Sequence, residues 1–596
     1  MKIRFPLPLL LAFGLWIAAC SPKKSALPIS EFPTLDSLFT SYQEENLKLF
    51  PLQATTIGDN RYNDQLPNTL TQTYRSRVKA FYSRYREQLL TFDRNTLSDN
   101  DQLSYDILLY HCDINLEGLG FKDYLMPISQ IRSLTLTVAQ LASGTGNQPF
   151  GTVPDYDNWL KRLDGYVEWC DSAMVNMRKG MESGYVIPKV NAAKVIPQLA
   201  NFDHGPVKDH LFYRPVLNMP TTFSPEDARR LTTAYEVMIE TKIIPAHQRL
   251  KKFIAEEYLP ACRETSGIDG IPGGNEFYAY ALKRFTTTSM SADEIFALGH
   301  SEVERISKEM EAVKTQVGFK GDLKSFFEHL RSKKELMPFK SGEEVIARYN
   351  AIHEQMKPQL TRLFDQVPKM DFEVRRIEAY REATSSAHYS VGIPGGARPG
   401  IFYFPLRDVK KYSTMPMEDL FLHEAIPGHH YQIALKVENT SIPNFRRFSS
   451  DGAYTEGWGL YAESLGKELG LYKDPYSYFG MLAGEMHRAI RLVTDAGLHS
   501  QGWTREQAIQ YFKDHGPSPE ETIISEIERY MANPGQAVSY KIGHLKILEL
   551  RARAEKELGS RFDVRQFHNE MLNAGSLPLH LLEAKIDRWI NRVKHA

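Results

Sequence analysis

Apolar residues recur every three or four positions along most of the chain, which is the period of an α-helix buried on one side. The stretch from 294 to 313 shows this clearly. Its apolar positions fall on one helical stripe: Ile295, Leu298, Val303, Ile306 and Met310. We interpret this stripe as part of the core. The pattern as a whole predicts a mainly α-helical protein.

Capping residues mark several helix starts within this pattern. Ser224 is followed by a proline at the first helical position and by acidic residues in the first turn. Four further sites have Glu or Gln three residues after the cap, the spacing of a capping box. These caps are Ser291, Ser341, Thr504 and Ser518. We therefore expect a helix to begin at each of these positions.

One segment departs from the helical period. IFYFPL, residues 401–406, is short and aromatic and is bounded by Gly400 and Pro405, which predicts a strand at the edge of a small sheet. A free edge there could pair with an extended peptide, and Tyr403 is a candidate substrate-binding residue. The alternative is an internal hairpin.

Two glycine-rich loops, residues 143–152 and 266–275, interrupt the helices. No internal repeat of roughly 20–50 residues is visible. We expect one helical domain over residues 32–596, in which the loop at 266–275 could separate two lobes.

The composition is typical of a globular protein, since 42% of the 596 residues are hydrophobic and 24% are charged. The 72 basic and 73 acidic side chains nearly cancel, so the chain has no overall basic field for nucleic acid. We expect no nucleic-acid partner and a local site that selects the ligand.

The N-terminus predicts a targeting segment. Two basic residues precede an apolar run that ends in IAAC, which indicates a signal peptide over residues 1–19. Its end resembles a bacterial lipoprotein signal, which implies cleavage before Cys20 and a lipid on that cysteine as a membrane anchor. Residues 20–31 would form a flexible tether. Ser21 suits the outer membrane of the cell envelope. The alternative is an ordinary cleaved signal with an incidental cysteine.

The other cysteines, Cys112, Cys170 and Cys262, are scattered and form no CxxC metal motif. One pair could form a disulfide in an oxidising compartment. We expect instead that they are small buried side chains.

The segment FLHEAIPGHHYQ begins like the helix of a zinc peptidase, with His423 followed by Glu424. Such a helix has its second histidine four residues after the first, where this chain has Pro427. In a regular helix His430 would share the face of His423 but lie about 10 Å further along the axis. A bulge at Pro427 would instead bring His429 beside His423. We favour His429 as the second ligand, with His430 as the alternative.

A third ligand is available downstream. Catalytic zinc takes three protein ligands and keeps one position open. The helical stretch GAYTEGWGLYAES offers Glu456 and Glu463, seven residues apart on one face. Glu456 is the candidate ligand, whereas Glu463 either accepts a hydrogen bond from a ligating histidine or is a surface residue. Zinc would lower the pKa of a bound water toward about 7, and Glu424 is placed to take its proton. The alternative is that the histidines have structural roles.

Several long motifs occur in one order along the chain. They are SSAHYSVGIPGGARPGIFYF, HEAIPGHH, GAYTEGWGLYAE, RLVTDAGLHSQGWTREQAI and RYMANPGQAVSYKIG. Together they resemble the bacterial family called domain of unknown function 885. That family is grouped with helical zinc peptidases such as carboxypeptidase Taq and peptidyl-dipeptidase A. The resemblance implies a helical body with a deep cleft, one zinc ion and metallopeptidase activity.

The resemblance places His423, Glu424, His429 and Glu456 in the site by matching position. Supporting candidates come from its later motifs. Tyr540 or His499 would stabilise an oxyanion.

A substrate carboxylate would be bound by Arg529 or Lys541, which would favour a carboxypeptidase. Each of these supporting residues has an alternative role as a buried hydrogen-bonding or ion-pair residue.

We therefore expect a lipid-anchored, zinc-dependent peptidase of the cell envelope that hydrolyses oligopeptides. One alternative is a non-catalytic lipoprotein that binds nutrients, which would not need the two histidines and two glutamates together. Another is a metal-dependent hydrolase of non-peptide esters or amides, which would use the same activation of water.

Overall fold

The computed structural model describes residues 30–144, 146–378, 382, 386–392 and 398–595. The predicted signal peptide, Cys20 and the tether up to residue 29 lie outside the described residues. Helices contain 69% of the residues and strands only 3%. The expected mainly α-helical fold class is confirmed.

The helices before the loop at 266–275 include all those that form one apolar core. They are α1 (Leu35–Leu49), α2 (Pro51–Thr56), α3 (Gln72–Leu89), α4 (Asp99–Gly118), α5 (Leu134–Ala142), α6 (Val153–Ser183), α7 (Lys189–Ala200), α8 (Arg214–Leu217), α9 (Pro225–Met238), α10 (Ile244–Phe253) and α11 (Leu259–Ala261). This core contains Trp159, Tyr166 and Tyr235 and is formed by residues between Leu70 and Cys262. Helices α1, α3 and α4 pack instead with the rest of the chain. The division into two lobes stays a prediction.

The later helices contribute to the two remaining cores. They are α12 (Gly274–Thr286), α13 (Ala292–Gln316), α14 (Leu323–Ser332), α15 (Gly342–Leu363), α16 (Met417–Glu424), α17 (His429–Glu438), α18 (Asn444–Arg447), α19 (Gly452–Ser464), α20 (Pro475–Ser500), α21 (Arg505–His515), α22 (Glu520–Ala532), α23 (Ser539–Leu558), α24 (Val564–Leu572) and α25 (Leu579–His595). Most of the predicted stripe of α13 is buried, and Ile306 and Met310 share one core with Leu482 and Val493 of α20.

Most of the predicted caps are present. The side chains of Ser224, Ser291, Ser341 and Thr504 each accept a hydrogen bond from the backbone amide three residues on. The prediction for Ser518 was wrong, because α22 begins one residue later, after Pro519, and has no side-chain cap.

The small sheet has three strands, β1 (Phe372–Arg376), β2 (His388–Ser390) and β3 (Gly400–Phe404). The prediction that 401–406 forms an edge strand was wrong. Strand β3 lies in the middle, parallel to β1 on one side and antiparallel to β2 on the other. Because both sides of β3 are already paired, it offers no free edge to a peptide.

Cys112, Cys170 and Cys262 are free and buried, as expected. Among the residues that the structure describes, no helix combines the length and apolar character needed to cross a membrane.

Helices α19 and α23 approach each other closely through glycines. A Cβ atom on Gly543 would lie 1.8 Å from the carbonyl oxygen of Ala453, and one on Gly457 would lie 2.6 Å from the Cα of Gly543. Backbone atoms cannot give way as a flexible side chain can. This contact fixes how the two helices, which both carry candidate site residues, lie against each other.

Replacing Gly543 with alanine should therefore lower the free energy of unfolding by about 3 kcal/mol, because the added methyl overpacks a backbone contact. Gly452→Ala is the matched control, since a Cβ there meets nothing within 4 Å. It should change stability by less than about 1 kcal/mol. Denaturant unfolding of both variants checks this. Equal stability of the two would show that the glycine contact is not tight.

Candidate metal centre

The HEAIPGHH segment is two helices rather than one bulged helix. Helix α16 ends at Glu424, the peptide bond before Pro427 is cis, and α17 begins at His429. The break brings the rings of His423 and His429 to a centroid distance of 4.6 Å, nearly perpendicular to each other. The two histidines therefore lie side by side, as expected, but the cause is a complete break between two helices and not a bulge within one.

Two contacts hold the break in place. The indole nitrogen of Trp458, on α19, donates a hydrogen bond of 2.8 Å to the carbonyl oxygen of Pro427. Gly428 packs directly against the end of α16, where a Cβ would lie 2.0 Å from the carbonyl oxygen of His423. Only glycine fits there, and the reason is this close approach rather than an unusual φ.

His423, His429 and Glu456 form the candidate metal site. The Nε2 atoms of His423 and His429 lie 3.6 and 3.5 Å from Oε2 of Glu456. One ligand atom from each residue lies within 4.8 Å of the other two. Tetrahedral zinc with bonds of about 2.1 Å places its ligand atoms about 3.4 Å apart. Two imidazole nitrogens and a carboxylate are suitable zinc donors, so the residues fit the ion.

Glu463 orients the first histidine. Nδ1 of His423 donates a hydrogen bond of 2.7 Å to Oε1 of Glu463, which leaves Nε2 directed at Glu456. The ring also packs against α19 at Gly459, where a Cβ would lie 2.7 Å from Cε1 of His423. Of the two roles considered for Glu463, the arrangement is that of a hydrogen-bond acceptor beside a candidate metal ligand.

The charges of the cluster are strongly coupled. Burial lowers the pKa of His423, but the carboxylates of Glu456 and Glu463 outweigh burial and raise it to about 10. For Glu456 burial raises the pKa, but the two histidines outweigh it and hold the pKa well below its usual range. The pocket therefore favours a positive charge at His423, which a divalent cation would supply in place of the proton.

Glu424 is the buried last residue of α16, directly after the first histidine. Its Oε2 atom has no hydrogen-bond partner in the described part of the chain. A buried carboxylate oxygen without a partner costs free energy, which makes it a candidate for a functional group.

Tyr540 lies in the first turn of α23, which the glycine contact holds against α19. Burial and then the negative charge of Glu456 raise its pKa, so the hydroxyl stays protonated and able to donate. The Arg491 guanidinium lies 4.6 Å from the centre of its ring. The structure thus places Tyr540 near the cluster.

His430 points away from the cluster, toward the sheet. Its Nδ1 atom lies 3.1 Å from the hydroxyl of Tyr389, and its ring packs against Phe372. Burial lowers the pKa of His430 to about 4. Tyr403, the candidate substrate-binding residue, is on β3 with its ring stacked on His388.

The structure corrects the role expected for His499. Its Nδ1 atom accepts a hydrogen bond from the backbone amide of Ile268, and its Nε2 atom donates one to the carbonyl of Tyr530. Because the ring is fully buried and both nitrogens are used, none remains for an oxyanion. We assign His499 to the packing of α20 instead.

Lys541 and Arg529 are also committed to neighbours, which corrects their expected role as carboxylate binders. Lys541 is fully buried, with its amine 2.6 Å from Glu485 and 2.9 Å from Glu302. Arg529 pairs with Glu526 at 3.0 Å. The alternative considered for both, a structural ion pair, is the arrangement observed.

Sequence reasoning missed Asp419, Trp458 and Gly459. Asp419 is one helical turn before His423, and burial followed by the charge of Glu463 raises its pKa well above the usual range. The signal that could have found it is the four-residue spacing to His423. Trp458 and Gly459 follow Glu456 closely in sequence, but the residues that they contact, Pro427 and His423, are distant in the chain.

The cluster borders a cavity of about 510 Å³ through Glu456. Other lining residues include Tyr110, His111, Gln536 and Ser539, the residue before Tyr540. A ligand in this cavity could therefore reach the cluster on the side of Glu456.

Fold and site together define a large helical protein with a buried candidate centre of two histidines and a glutamate. The chain belongs to the family described as bacterial protein of unknown function (DUF885), which matches residues 51–586. The resemblance found in the sequence motifs is confirmed. No curated protein matches the chain.

Two solved structures are similar to this chain. A putative lipoprotein from Colwellia psychrerythraea has 27% sequence identity and a TM-score of 0.86, over 94% of this chain and 99% of that one. A putative lipoprotein of unknown function from Shewanella oneidensis has 17% identity and a TM-score of 0.73, over 92% and 99% of the two chains. The second likeness shows the fold alone.

The cluster predicts which substitutions remove a metal. After loading with zinc and gel filtration, the protein should carry about one zinc ion per chain by elemental analysis. Alanine at His423, His429 or Glu456 should reduce this content at least about tenfold, because each removes a ligand. His430→Ala is the control and should keep the ion. Loss of zinc in His430→Ala but not in His429→Ala would contradict the assignment.

Proposed function

We propose that the protein is a zinc-dependent metallopeptidase that hydrolyses oligopeptides. The observation that carries the proposal is the meeting of two histidine Nε2 atoms and one glutamate carboxylate beside the unpartnered carboxylate of Glu424. A binding protein has no need of a buried carboxylate without a partner next to a candidate metal site.

His423, His429 and Glu456 would hold the zinc, with Glu463 fixing the ring of His423. When bound, zinc supplies a Lewis acid that activates water and polarises a carbonyl group. The free carboxylate of Glu424 takes a proton from the attacking water and then gives that proton to the leaving amine. The buried position of Glu424 strengthens this role, since bulk water does not compete for the carboxylate.

Tyr540 provides the hydrogen-bond donor for the developing oxyanion. Its hydroxyl keeps its proton at neutral pH, and the nearby arginines add positive charge where negative charge develops. The role that the sequence left open between Tyr540 and His499 thus passes to Tyr540.

The place of action in this proposal is the cell envelope. The IAAC sequence before residue 21 provides the anchor through a lipid on Cys20, and both similar structures are of proteins described as lipoproteins. Ser21 after the cysteine supports the outer membrane as the destination.

Glu424→Gln tests the mechanism, because glutamine keeps the shape but cannot carry the proton. Peptide hydrolysis, followed by mass spectrometry on a mixture of oligopeptides, should fall at least about a hundredfold. Zinc content should stay at the wild-type level. His430→Gln is the control, a buried polar residue near the same break, and should remain active.

Retained hydrolysis in the Glu424→Gln protein would contradict the assigned base. Cleavage of ester or amide probes by the zinc-loaded wild type, without cleavage of any peptide, would contradict the substrate class.

A further inference from the structure

The cavity beside Glu456 adjoins a second one. The first has a volume of about 510 Å³ and the second about 320 Å³. Tyr82, Asn115 and Arg284 belong to the walls of both. The two cavities therefore adjoin each other, and we call the pair the channel; Glu456 lines the larger cavity and Arg284 lines both.

The acidic groups along this channel differ in how far they are paired. Asp451 lies 3.5 Å from Nε2 of His111, and Asp123 lies 3.7 Å from Arg132. Glu456 belongs to the metal cluster. Oδ2 of Asp451 has no hydrogen-bond partner within the described residues, so this carboxylate is only partly compensated.

Two arginines in the channel face no carboxylate within the described residues. Arg75 is nevertheless occupied, because it donates to the carbonyl oxygens of Leu119 and Phe121 and stacks on the ring of Tyr124. The guanidinium carbon of Arg284 lies 5.5 Å from the centre of the Phe285 ring, and the guanidinium interacts with the Tyr280 hydroxyl through its charge and a hydrogen bond.

Arg284 is exposed to the channel and lies in the last turn of α12. A guanidinium has five N–H donors, so a single neutral hydroxyl partner leaves most of them available to a ligand. Such a group is suited to a planar carboxylate, to which it can donate two parallel hydrogen bonds.

We propose that Arg284 binds the C-terminal carboxylate of a peptide that lies in the channel with its scissile bond at the metal cluster. This inference rests on the proposed function and narrows it to cleavage near the C-terminus of the substrate. Arg284 takes over the role that the sequence assigned to Arg529 or Lys541, whose charges are used in ion pairs.

The test measures binding in the zinc-loaded Glu424→Gln protein, so that cleavage does not interfere. An alanine-rich pentapeptide, labelled at its amino end with a fluorophore, is compared with its C-terminal amide by fluorescence anisotropy. The free acid should bind about tenfold more tightly than the amide, as expected for a charge-assisted pair. Adding Arg284→Gln should remove this difference and leave binding of the amide unchanged.

Lys283→Gln is the matched control. It removes the same charge from the neighbouring position of α12, but Lys283 pairs with Glu117 and lines neither cavity. It should leave the preference for the acid intact. A third peptide, amidated but with aspartate as its last residue, distinguishes a side-chain carboxylate from the terminal one and should bind like the plain amide.

Equal binding of acid and amide, or a preference that survives Arg284→Gln, would overturn the inference. Arg284-dependent binding of the aspartate amide as tight as that of the acid would overturn its assignment to the terminus. Peptide cleavage by the wild type together with either result would leave the proposed function standing. Failure of the wild type to cleave any peptide would instead count against the proposed function itself.

Discussion

The close packing of α19 determines the whole candidate centre. Within this one helix, Glu456 faces both histidines, Trp458 holds the carbonyl of Pro427, and Glu463 fixes the ring of His423. Glycines between these residues let the histidine ring and α23 approach the helix backbone. Because protein interiors are packed to nearly crystalline density, none of these contacts can shift without disturbing the others. A regular zinc helix holds its two histidines side by side by its own backbone. Here contacts from the neighbouring helix α19 hold them in place.

The buried charges follow from the same arrangement. Removing a carboxylate from water is costly unless other groups compensate it, and here Glu456 and Glu463 are compensated by histidines. On α23, Lys541 is compensated by Glu302 and Glu485 in a separate network. The charges around Lys541 thus balance one another, whereas the charges around His423, His429 and Glu456 are balanced best by a bound cation. Glu424, with an unsatisfied oxygen, belongs to this second set of charges.

Much of this could be predicted from local sequence. Helix caps act within four residues, so Ser224 and Ser291 were recognisable. The position of Pro427 between the histidines was enough to favour His429 over His430 as the partner of His423. The break itself was only partly predictable, because Trp458 and Gly428 enforce it through contacts that the chain order does not reveal. His499 and Lys541 were predicted less well. Their side chains suggested roles in the site, but each is bonded to a partner more than fifty residues away in the chain, which the sequence does not reveal. The middle position of β3 also depends on its pairing with β1, which lies earlier in the chain, and the hydrophobic period does not reveal such pairing.

The measurement that tests the account most directly is anomalous diffraction at the zinc absorption edge from crystals of the zinc-loaded protein. The account predicts one strong peak about 2.1 Å from Nε2 of His423, from Nε2 of His429 and from a carboxylate oxygen of Glu456. A peak bound by His430, or the absence of any peak between the two histidines at full zinc loading, would contradict it.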